Sequence, residues 1–277
     1  MLPSKGLLKT RSLYLAKNFT PAALVQRLQR YSQQSSTTTG DIKMPFEVEK
    51  LKFLSMPSEE KRALYRKIAN KNVVTLHQIP TWFEYWNSNK SCMKKSTWEE
   101  VGIVEHDLAK KVSLWIGDIT SLEVDAIVNA ANRSLRGGGG VDGAIHKMAG
   151  PTLKQESMTM APCGVGEVRL TGAYALPANY VIHTVGPQDE EPNMLSKCYE
   201  QSLVLAQTHG FKSIAFPCIS TGVYGFPQYK AAAVALGTVK KFLEDHDNVI
   251  NRVIFCVFLD SDMTIYEELL QKFFALE

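Results

Sequence analysis

A run of four glycines is the feature of this sequence with the clearest chemical use. Gly137 to Gly140 are followed by Val141 and Asp142, at the point where a β-rich segment gives way to a helical one. Glycine permits positive φ and leaves backbone N–H groups open to a ligand, and a helix N-terminus adds partial positive charge. The loop can therefore cradle a diphosphate. Because the run matches neither G-x-x-x-x-G-K-[ST] nor G-x-G-x-x-G, a plain flexible turn is the alternative interpretation.

A second glycine-containing loop follows the strand-like segment 213–217. It covers Ser220–Phe226 and leads into a helical stretch. Its small residues again leave N–H groups accessible, while Tyr224 and Phe226 offer rings that can pack on a sugar. Two such loops facing one crevice would hold a diphosphate from both sides, which is much more specific than either loop alone.

Polar residues near other strand ends suit the rest of a nucleotide. Asp118, in G-D-I-T, can accept a hydrogen bond from an exocyclic amine, or it can cap a turn or helix. Asn132, in N-A-A-N, can hold ribose hydroxyls or a water, with a turn asparagine as the alternative.

Asp142 and His146 are four residues apart in the helix that follows the glycines, so they share a face. The helix dipole favours the Asp142 anion, which suits it to orient water or a sugar hydroxyl, the alternative being a helix-capping acid. His146 can support Asp142 or be a core or capping histidine. His183 lies inside an apolar segment and is predicted to be structural.

Metal and covalent chemistry find no support in the sequence. No cluster of His, Cys and acidic residues has metal-ligand spacing, and there is no G-x-S-x-G elbow. The cysteines are odd in number and widely spaced, which indicates reduced thiols, with the last two of the set as core residues. They are Cys92, Cys163, Cys198, Cys218 and Cys256. A hydrolase built on this chain would work by positioning water and stabilising charge.

Strand-like and helical segments alternate after Lys111. Predicted strands cover 112–116, 126–128, 180–185, 213–217 and 252–259. Predicted helices cover 141–149, 194–208, 228–243 and 263–274. This alternation predicts an α/β layered fold with a largely parallel sheet covered on both faces. Ligands bind beyond the carboxyl ends of the strands in such folds, so the two loops and the polar residues are expected to meet there.

The first segment of the chain differs in charge from the rest. The 277 residues carry a formal net charge of +3, and residues 1–40 hold six of the 31 basic residues and no acid. Residues 41–277 therefore carry 25 basic and 28 acidic residues, a net charge of −3 that gives no support for nucleic-acid binding. The basic, acid-free segment predicts a mitochondrial transit peptide, with a disordered basic tail as the alternative, and 31–40 reads as a linker. No apolar run approaches the roughly 20 residues of a transmembrane helix, so no membrane partner is expected.

Residues 44–110 are predicted to form an accessory helical segment without site chemistry. Ser58 is the expected N-cap of one helix, Ile79–Trp82 begins a second, and Asn87–Ser96 is expected to be a loop. The chain thus divides into a transit peptide and linker (1–40), a helical extension (41–110) and an α/β domain (111–277).

Five motifs occur in a fixed order: G-D-I-T, N-A-A-N, G-G-G-G-V-D-G-A-I-H, V-I-H-T-V-G-P and P-C-I-S-T-G-V-Y-G-F-P. Together they strongly resemble a macrodomain of the MacroD type over residues 110–275. E-K-R-A-L-Y-R and I-P-T-W resemble the MacroD N-terminal extension, and the acid-free leader resembles that of the mitochondrial member. The resemblance implies a three-layer α/β/α macrodomain with a mixed, largely parallel central sheet that binds ADP-ribose.

The resemblance also implies a role for each motif. Asp118 would bind the adenine amine with Ile119 beside it and Leu259 lining the same end, while Asn132 and Asp142 would be the catalytic residues at the distal ribose. No metal or cofactor is implied. The implied ligand-binding residues are Gly117, Asp118, Ile119, Ala130, Ala131, Asn132, Gly137, Gly138, Gly139, Gly140, Val141, Asp142, Ser220, Thr221, Gly222, Val223, Tyr224, Gly225, Phe226 and Leu259.

MacroD-type enzymes remove ADP-ribose that is ester-linked to Asp or Glu and deacetylate O-acetyl-ADP-ribose. Water activation is expected either from Asp142 as a base or from a substrate phosphate, with Asn132 and Asp142 orienting the ribose. The second is favoured, because an Asp near helix N–H groups should be a weak base. A non-catalytic reader of ADP-ribose and a phosphatase acting on ADP-ribose phosphate are the alternatives. Mono-ADP-ribosylated proteins are the implied partners, and whether nucleic-acid-linked ADP-ribose is also one is left open by the sequence. A monomer is expected, and the basic, acid-free N-terminus predicts the mitochondrial matrix, with nucleus or cytosol as the alternative.

Overall fold

A computed structural model describes residues 44–93, 106–246 and 249–276. The predicted transit peptide and linker, residues 1–40, lie outside these ranges. The strands are β1 (Val74–Thr75), β2 (Val112–Ile116), β3 (Leu122–Glu123), β4 (Ala126–Ala130), β5 (Val168–Gly172), β6 (Tyr180–Thr184), β7 (Ser213–Phe216) and β8 (Arg252–Val257). The α-helices are α1 (Pro45–Leu54), α2 (Ser58–Ala69), α3 (Trp82–Asn89), α4 (His106–Ala109), α5 (Gly140–Ala149), α6 (Pro151–Met158), α7 (Pro192–His209), α8 (Gln228–Asp245) and α9 (Asp260–Phe273).

The central sheet has six strands in the order β2-β8-β7-β4-β6-β5. Every neighbouring pair is parallel except β5 with β6, where Arg169 lies opposite His183 in antiparallel register. The mixed, largely parallel sheet implied by the resemblance is confirmed. A separate two-stranded parallel sheet joins β1 to β3, with Val74 opposite Leu122.

Alternate residues of the central strands feed two different core layers. Along β8, Val253 and Phe255 pack into one buried cluster with α7, α8 and α9, whereas Ile254 and Cys256 pack into the other with α5 and α6. Successive side chains of a strand point to opposite faces, so an unbroken apolar strand requires a covering layer on each face. The chain therefore forms the α/β/α sandwich that the continuous apolar strands predict.

The helices before the central sheet pack directly on it. The indole of Trp82 is fully buried, and its Nε1–H donates to the carbonyl of Phe274 at 3.0 Å. On α2, Lys61 Nζ donates to the Ala178 carbonyl at 2.7 Å, and burial lowers the pKa of Lys61 to about 8. One turn further on, the Tyr65 hydroxyl lies 3.3 Å from Thr120 Oγ1. Helix α2 thus crosses from the amino ends of the strands towards their carboxyl ends.

Two local expectations in this region are corrected. The N-cap of α2 is Pro57 rather than Ser58, because the Pro57 carbonyl accepts the hydrogen bond from Lys61 N at 3.0 Å. Helix α3 begins as expected, with Thr81 as its N-cap, but it continues through Asn89 into the segment expected to be a loop. The Thr81 hydroxyl and the Glu84 carboxylate cap each other's backbone N–H groups, which stabilises this short helix.

Several elements were absent from the sequence-based expectation, among them the short strands β1 and β3, the edge strand β5 and the helix α6. Strand β5 is only half-buried over its first three residues and carries Arg169, so its apolar signal is weak. The thiols of all five cysteines are free; Cys256 is buried and Cys218 packs half-buried against the core. Within the described ranges no helix is both long enough and apolar enough to cross a bilayer.

Candidate functional site

The predicted site residues converge on the edge formed by the carboxyl ends of the parallel strands. Gly117, Asp118 and Ile119 follow β2, Leu259 follows β8, the Ser220–Phe226 loop follows β7, and Ala131 and Asn132 follow β4. The strand order β2-β8-β7-β4 therefore arranges them in one row, from Asp118 at one end to Asn132 at the other. The chain reverses its direction of winding between β7 and β4, which is where open α/β sheets bind ligands.

Asp142 is held at the Asn132 end of this row by two asparagines. Its side chain is buried, with Oδ1 accepting from Asn129 Nδ2 at 2.8 Å and Oδ2 accepting from Asn132 Nδ2 at 3.2 Å. The side-chain oxygen of Asn132, Oδ1, accepts from the backbone N–H of Ser134 at 3.0 Å. Asn132 therefore forms a turn, which was the alternative interpretation of this residue, and it also contacts Asp142.

Asn129 connects Asp142 to a fully buried histidine. Asn129 Nδ2 lies 3.1 Å from His183 Nδ1, and His183 Nε2 lies 2.9 Å from Thr171 Oγ1. Burial lowers the pKa of His183 to about 3, so this imidazole is neutral and holds the network in place. The structural role predicted for His183 agrees with this geometry. Asn129, the first residue of N-A-A-N, was not singled out from the sequence, although the motif contains it.

Burial dominates the electrostatics of the Asp142 carboxyl. It raises the pKa of Asp142, and the hydrogen bond from Asn129 and the nearby His146 oppose the rise. This corrects the expectation that the helix N-terminus leaves Asp142 a weak base. His146 Nε2 lies 3.4 Å from Asp142 Oδ1, and burial lowers the pKa of this histidine, which favours its neutral form.

The glycine loop lies directly against these side chains. A Cβ on Gly138 would lie 3.1 Å from Asp142 Oδ2 and 3.2 Å from Asn132 Nδ2. A Cβ on Gly143, in α5, would lie only 2.4 Å from the Gly138 carbonyl oxygen. The close approach of the loop to α5 therefore depends on glycine at both positions.

Several backbone donors of both loops have no protein partner. Within the part of the chain that the structure describes, the N–H groups of Gly138–Gly140 and of Gly222–Tyr224 have no acceptor. Helix α5 begins at Gly140, so the first loop also lies at a helix N-terminus. Unpaired backbone donors together with a helix N-terminus form a site suited to an anion.

The second loop differs in one respect from the expectation. The Phe226 ring is buried in the core beneath the loop, and its N–H donates to the Ser220 carbonyl at 3.0 Å, so Phe226 anchors the loop. Tyr224 is half-buried and is the ring of this loop that remains accessible. Ser220 adopts φ of 67°, and Val223 is 91% exposed.

Buried polar atoms without a hydrogen-bond partner concentrate at this site. The described residues contain five such atoms, and four of them are Asn129 Oδ1, both ring nitrogens of His146 and Ser220 Oγ. Buried polar groups are nearly always paired in native proteins, so unpaired ones gathered at a crevice indicate a site for a polar ligand.

At the opposite end of the row, Asp118 has two sets of partners. Its Oδ1 accepts from Thr120 N at 3.0 Å, which is the capping role, and its Oδ2 accepts from Lys71 Nζ at 2.8 Å. Burial alone would raise the pKa of Asp118, but the hydrogen bonds from Lys71 and Thr120 outweigh burial and lower it. Lys71 follows α2, so the helical extension, for which no site chemistry is expected, contacts a residue of the candidate site.

Exposed apolar side chains surround the Asp118 end. They are Ile116, Phe258 and Leu259, which are 40%, 74% and 51% exposed. Large apolar residues exposed together mark a surface that binds a partner or ligand. In the described residues no group of three or more His, Cys, Asp and Glu side chains is arranged to hold a metal ion.

Comparison with known proteins gives a consistent result. Residues 128–235 match the macro domain family model. The chain is 49% identical over 232 residues to the ADP-ribose glycohydrolase MACROD2 of Xenopus laevis, a match that covers 82% of this chain and 54% of the relative. It is 45% identical over 212 residues to the ADP-ribose glycohydrolase MACROD1 of Rattus norvegicus, covering 74% of this chain and 81% of the relative.

Solved structures extend the comparison to the fold. The Trypanosoma brucei macrodomain in complex with ADP-ribose is 38% identical, with a TM-score of 0.64, and the match covers 83% of this chain and 92% of that one. The chain spans about half the length of the curated MACROD2 relatives it matches. With a relative at 45% identity covered over four-fifths of its length, the chain belongs to the macro domain family, among relatives of the MacroD type.

Proposed function

We propose that the crevice at the carboxyl ends of the strands binds ADP-ribose. The diphosphate lies between the glycine loop and the Ser220–Phe226 loop, the adenine lies at Asp118 and Leu259, and the distal ribose lies at Asn132 and Asp142. The unpaired N–H groups of both loops support this placement, as does the ADP-ribose named for a related trypanosomal macrodomain.

The proposed reaction is hydrolysis of an ester of ADP-ribose. Water adds across the ester bond and releases ADP-ribose together with an Asp or Glu carboxyl group of a protein, or with acetate from O-acetyl-ADP-ribose. The MACROD1 and MACROD2 relatives are named ADP-ribose glycohydrolases, which supports hydrolysis at the distal ribose. No metal is part of the proposed mechanism.

One observation carries the choice of an enzyme over a reader: Asp142 is buried and held by both Asn129 and Asn132. A reader needs only donors for the phosphates, whereas burying a carboxylate costs free energy that simple binding does not require. Because burial raises the pKa of Asp142, this residue accepts a proton more readily than a helix-terminal Asp in water. We therefore assign Asp142 to orienting the water and accepting its proton, and Asn132 to orienting the ribose, with proton acceptance by a substrate phosphate as the alternative.

The test follows the release of ADP-ribose by mass spectrometry. The full chain, in the presence of a chelator, is incubated with a protein that is mono-ADP-ribosylated on glutamate. We expect release by the wild type and a loss of at least about a hundredfold in rate with Asp142→Ala, the range for removal of a general base. ADP-ribose should still bind to Asp142→Ala, because the donors of both loops remain.

The exposed residue Asp107 provides the matched control, and Asp107→Ala should release ADP-ribose at the wild-type rate. Tight binding without release by the wild type would make the protein a reader. Equal loss of binding and release in Asp142→Ala would make Asp142 a structural cap. Release that occurs only when the chelator is left out would contradict the metal-free mechanism.

We also propose that the protein acts in the mitochondrial matrix and that residues 1–40 are the import signal. The proposal is supported by six basic residues and no acidic ones in that segment. A fusion of residues 1–40 to a fluorescent protein should reach mitochondria, and replacement of its basic residues by Gln should abolish the import. A fusion that stays in the cytosol or nucleus would refute the proposal.

A further inference from the structure

A cluster of exposed basic residues flanks the glycine loop. Arg133, Arg136, Lys147 and Lys154 are all exposed, and none of their side chains forms a hydrogen bond or ion pair with another residue that the structure describes. The sole acidic residue between positions 131 and 155 is Asp142, which is buried in the site. This stretch therefore carries four exposed cations and no exposed acidic residue of its own.

Three of these cations line an open groove. Arg136, Lys147 and Lys154 surround it together with the outer side of the glycine loop and the junction of α5 with α6. Gly138 forms part of the groove wall, and the position of its missing Cβ is 3.1 Å from Asp142 Oδ2. His146 also lines the groove and lies 3.4 Å from Asp142 Oδ1, so the basic groove adjoins the proposed catalytic side chains.

The position and charge of the basic groove restrict the kind of ligand that it can bind. It adjoins the glycine loop and His146, next to Asp142, where the proposed function places the distal ribose and its leaving group. Residues 41–277 carry a net charge of −3, so a long polyanion would meet repulsion outside this local patch. A short acidic segment has the complementary charge and matches three cations.

We propose that the basic groove formed by Arg136, Lys147 and Lys154 binds acidic side chains that flank the modified Asp or Glu in a protein substrate. The inference rests on the proposed function, because it assigns a docking surface to the protein part of that substrate. Loss of two charge pairs between the exposed groove and the substrate is expected to raise KM by about fivefold and to leave kcat unchanged.

The experiment compares two peptides that carry ADP-ribose on the same glutamate. One has Asp and Glu at the flanking positions, and the other has Asn and Gln. We expect the wild type to show a KM about fivefold lower for the acidic peptide, and this preference to shrink in 0.5 M salt, where exposed charges are screened. O-acetyl-ADP-ribose, which lacks the peptide, is the reference substrate.

The variant Lys147→Glu/Lys154→Glu should abolish the preference for the acidic peptide. Its turnover of O-acetyl-ADP-ribose and its affinity for free ADP-ribose should equal those of the wild type. Lys67→Glu/Lys241→Glu changes the net charge by the same amount at exposed lysines outside the groove, and it should retain the preference.

Equal KM values for both peptides with the wild type would overturn the proposal, and so would an equal effect of the variant on all three substrates. A single-stranded oligonucleotide that competes with the acidic peptide, at concentrations where a free acidic peptide does not, would assign the groove to nucleic acid instead. If no substrate is hydrolysed, the proposed function fails. The groove is then judged by the ratio of dissociation constants of the two modified peptides.

Discussion

At the scale of single residues, the chemistry of Asp142 depends on what surrounds it. The helix N-terminus and the Asn129 hydrogen bond stabilise the carboxylate anion, whereas burial destabilises it, and the net effect raises the pKa. Asn129 lies 13 residues before Asp142 and donates to the oxygen that also faces His146. This asparagine is therefore a positioning residue for the proposed base.

The residue-scale prediction concerns Asn129→Ala. Proposed catalysis requires ionised Asp142, so kcat/KM should fall on the acid side of a pH profile, with a midpoint above the ordinary value for Asp. Loss of the Asn129 hydrogen bond removes a stabilising contact from the anion, and the midpoint should rise further, by about one pH unit. The profile of O-acetyl-ADP-ribose turnover measures this shift.

Asn87→Ala, at an exposed position on α3, serves as the control and should leave the profile unchanged. An Asn129→Ala profile with the wild-type midpoint and uniformly lower kcat would show that Asn129 acts on packing and not on the Asp142 carboxyl.

At the scale of elements, the site depends on the contact between the glycine loop and α5. Gly143 is a helix-interior glycine, a position at which Ala ordinarily favours the helix by about 1 kcal/mol. Here the Gly138 carbonyl occupies the space that a Cβ would take, at 2.4 Å. Helix propensity therefore favours alanine at position 143, whereas the contact with the Gly138 carbonyl requires glycine there.

Gly143→Ala is predicted to displace the glycine loop from Asp142. The affinity for ADP-ribose, measured by calorimetry, should fall by about tenfold or more, since an overpacked contact costs about 1–3 kcal/mol. Ala144→Ser changes the neighbouring helical position, which lies outside this contact, and should bind ADP-ribose normally. Unchanged affinity in Gly143→Ala would mean that the loop adjusts without cost.

At the scale of the whole molecule, the strand order brings together loops that are distant in the chain. Asp118 and the Ser220–Phe226 loop are about a hundred residues apart, yet β2 and β7 both flank β8. A ligand that spans this row contacts several elements at once, and so its binding should stabilise the entire fold.

ADP-ribose is predicted to raise the melting temperature of the chain. At a ligand concentration of about a hundred times Kd, the gain in unfolding free energy is about 2.7 kcal/mol, which corresponds to roughly 5–10 °C for a protein of this size. Asp142→Ala should retain most of this shift. Asp118→Ala should lose most of it at the same ligand concentration, and a wild-type shift in that variant would contradict the adenine assignment.

The expectations that agree with the structure rest on local patterns. Strands 112–116 and 213–217 were predicted to within one residue of β2 and β7, because apolar β-branched runs between polar turns are a short-range signal. The edge strand β5 was not predicted from the sequence, because its pairing with β6 and not its composition makes it a strand. The N-cap of α2 was expected at Ser58, one residue after the observed Pro57, for a similar reason. The hydrogen bond from Lys61 N to the Pro57 carbonyl, and not the residue type, decides where α2 begins.

The order of residue types was enough to predict the alternation of strands and helices, the two glycine-containing loops and their placement after strands. These features follow from residue periodicity and from the backbone freedom of glycine. The tertiary structure decided the strand order, the contact of Lys71 with Asp118, the burial of the Phe226 ring and the raised pKa of Asp142. Each of these depends on desolvation or on contacts between residues far apart in the chain, and neither can be read from neighbouring residues.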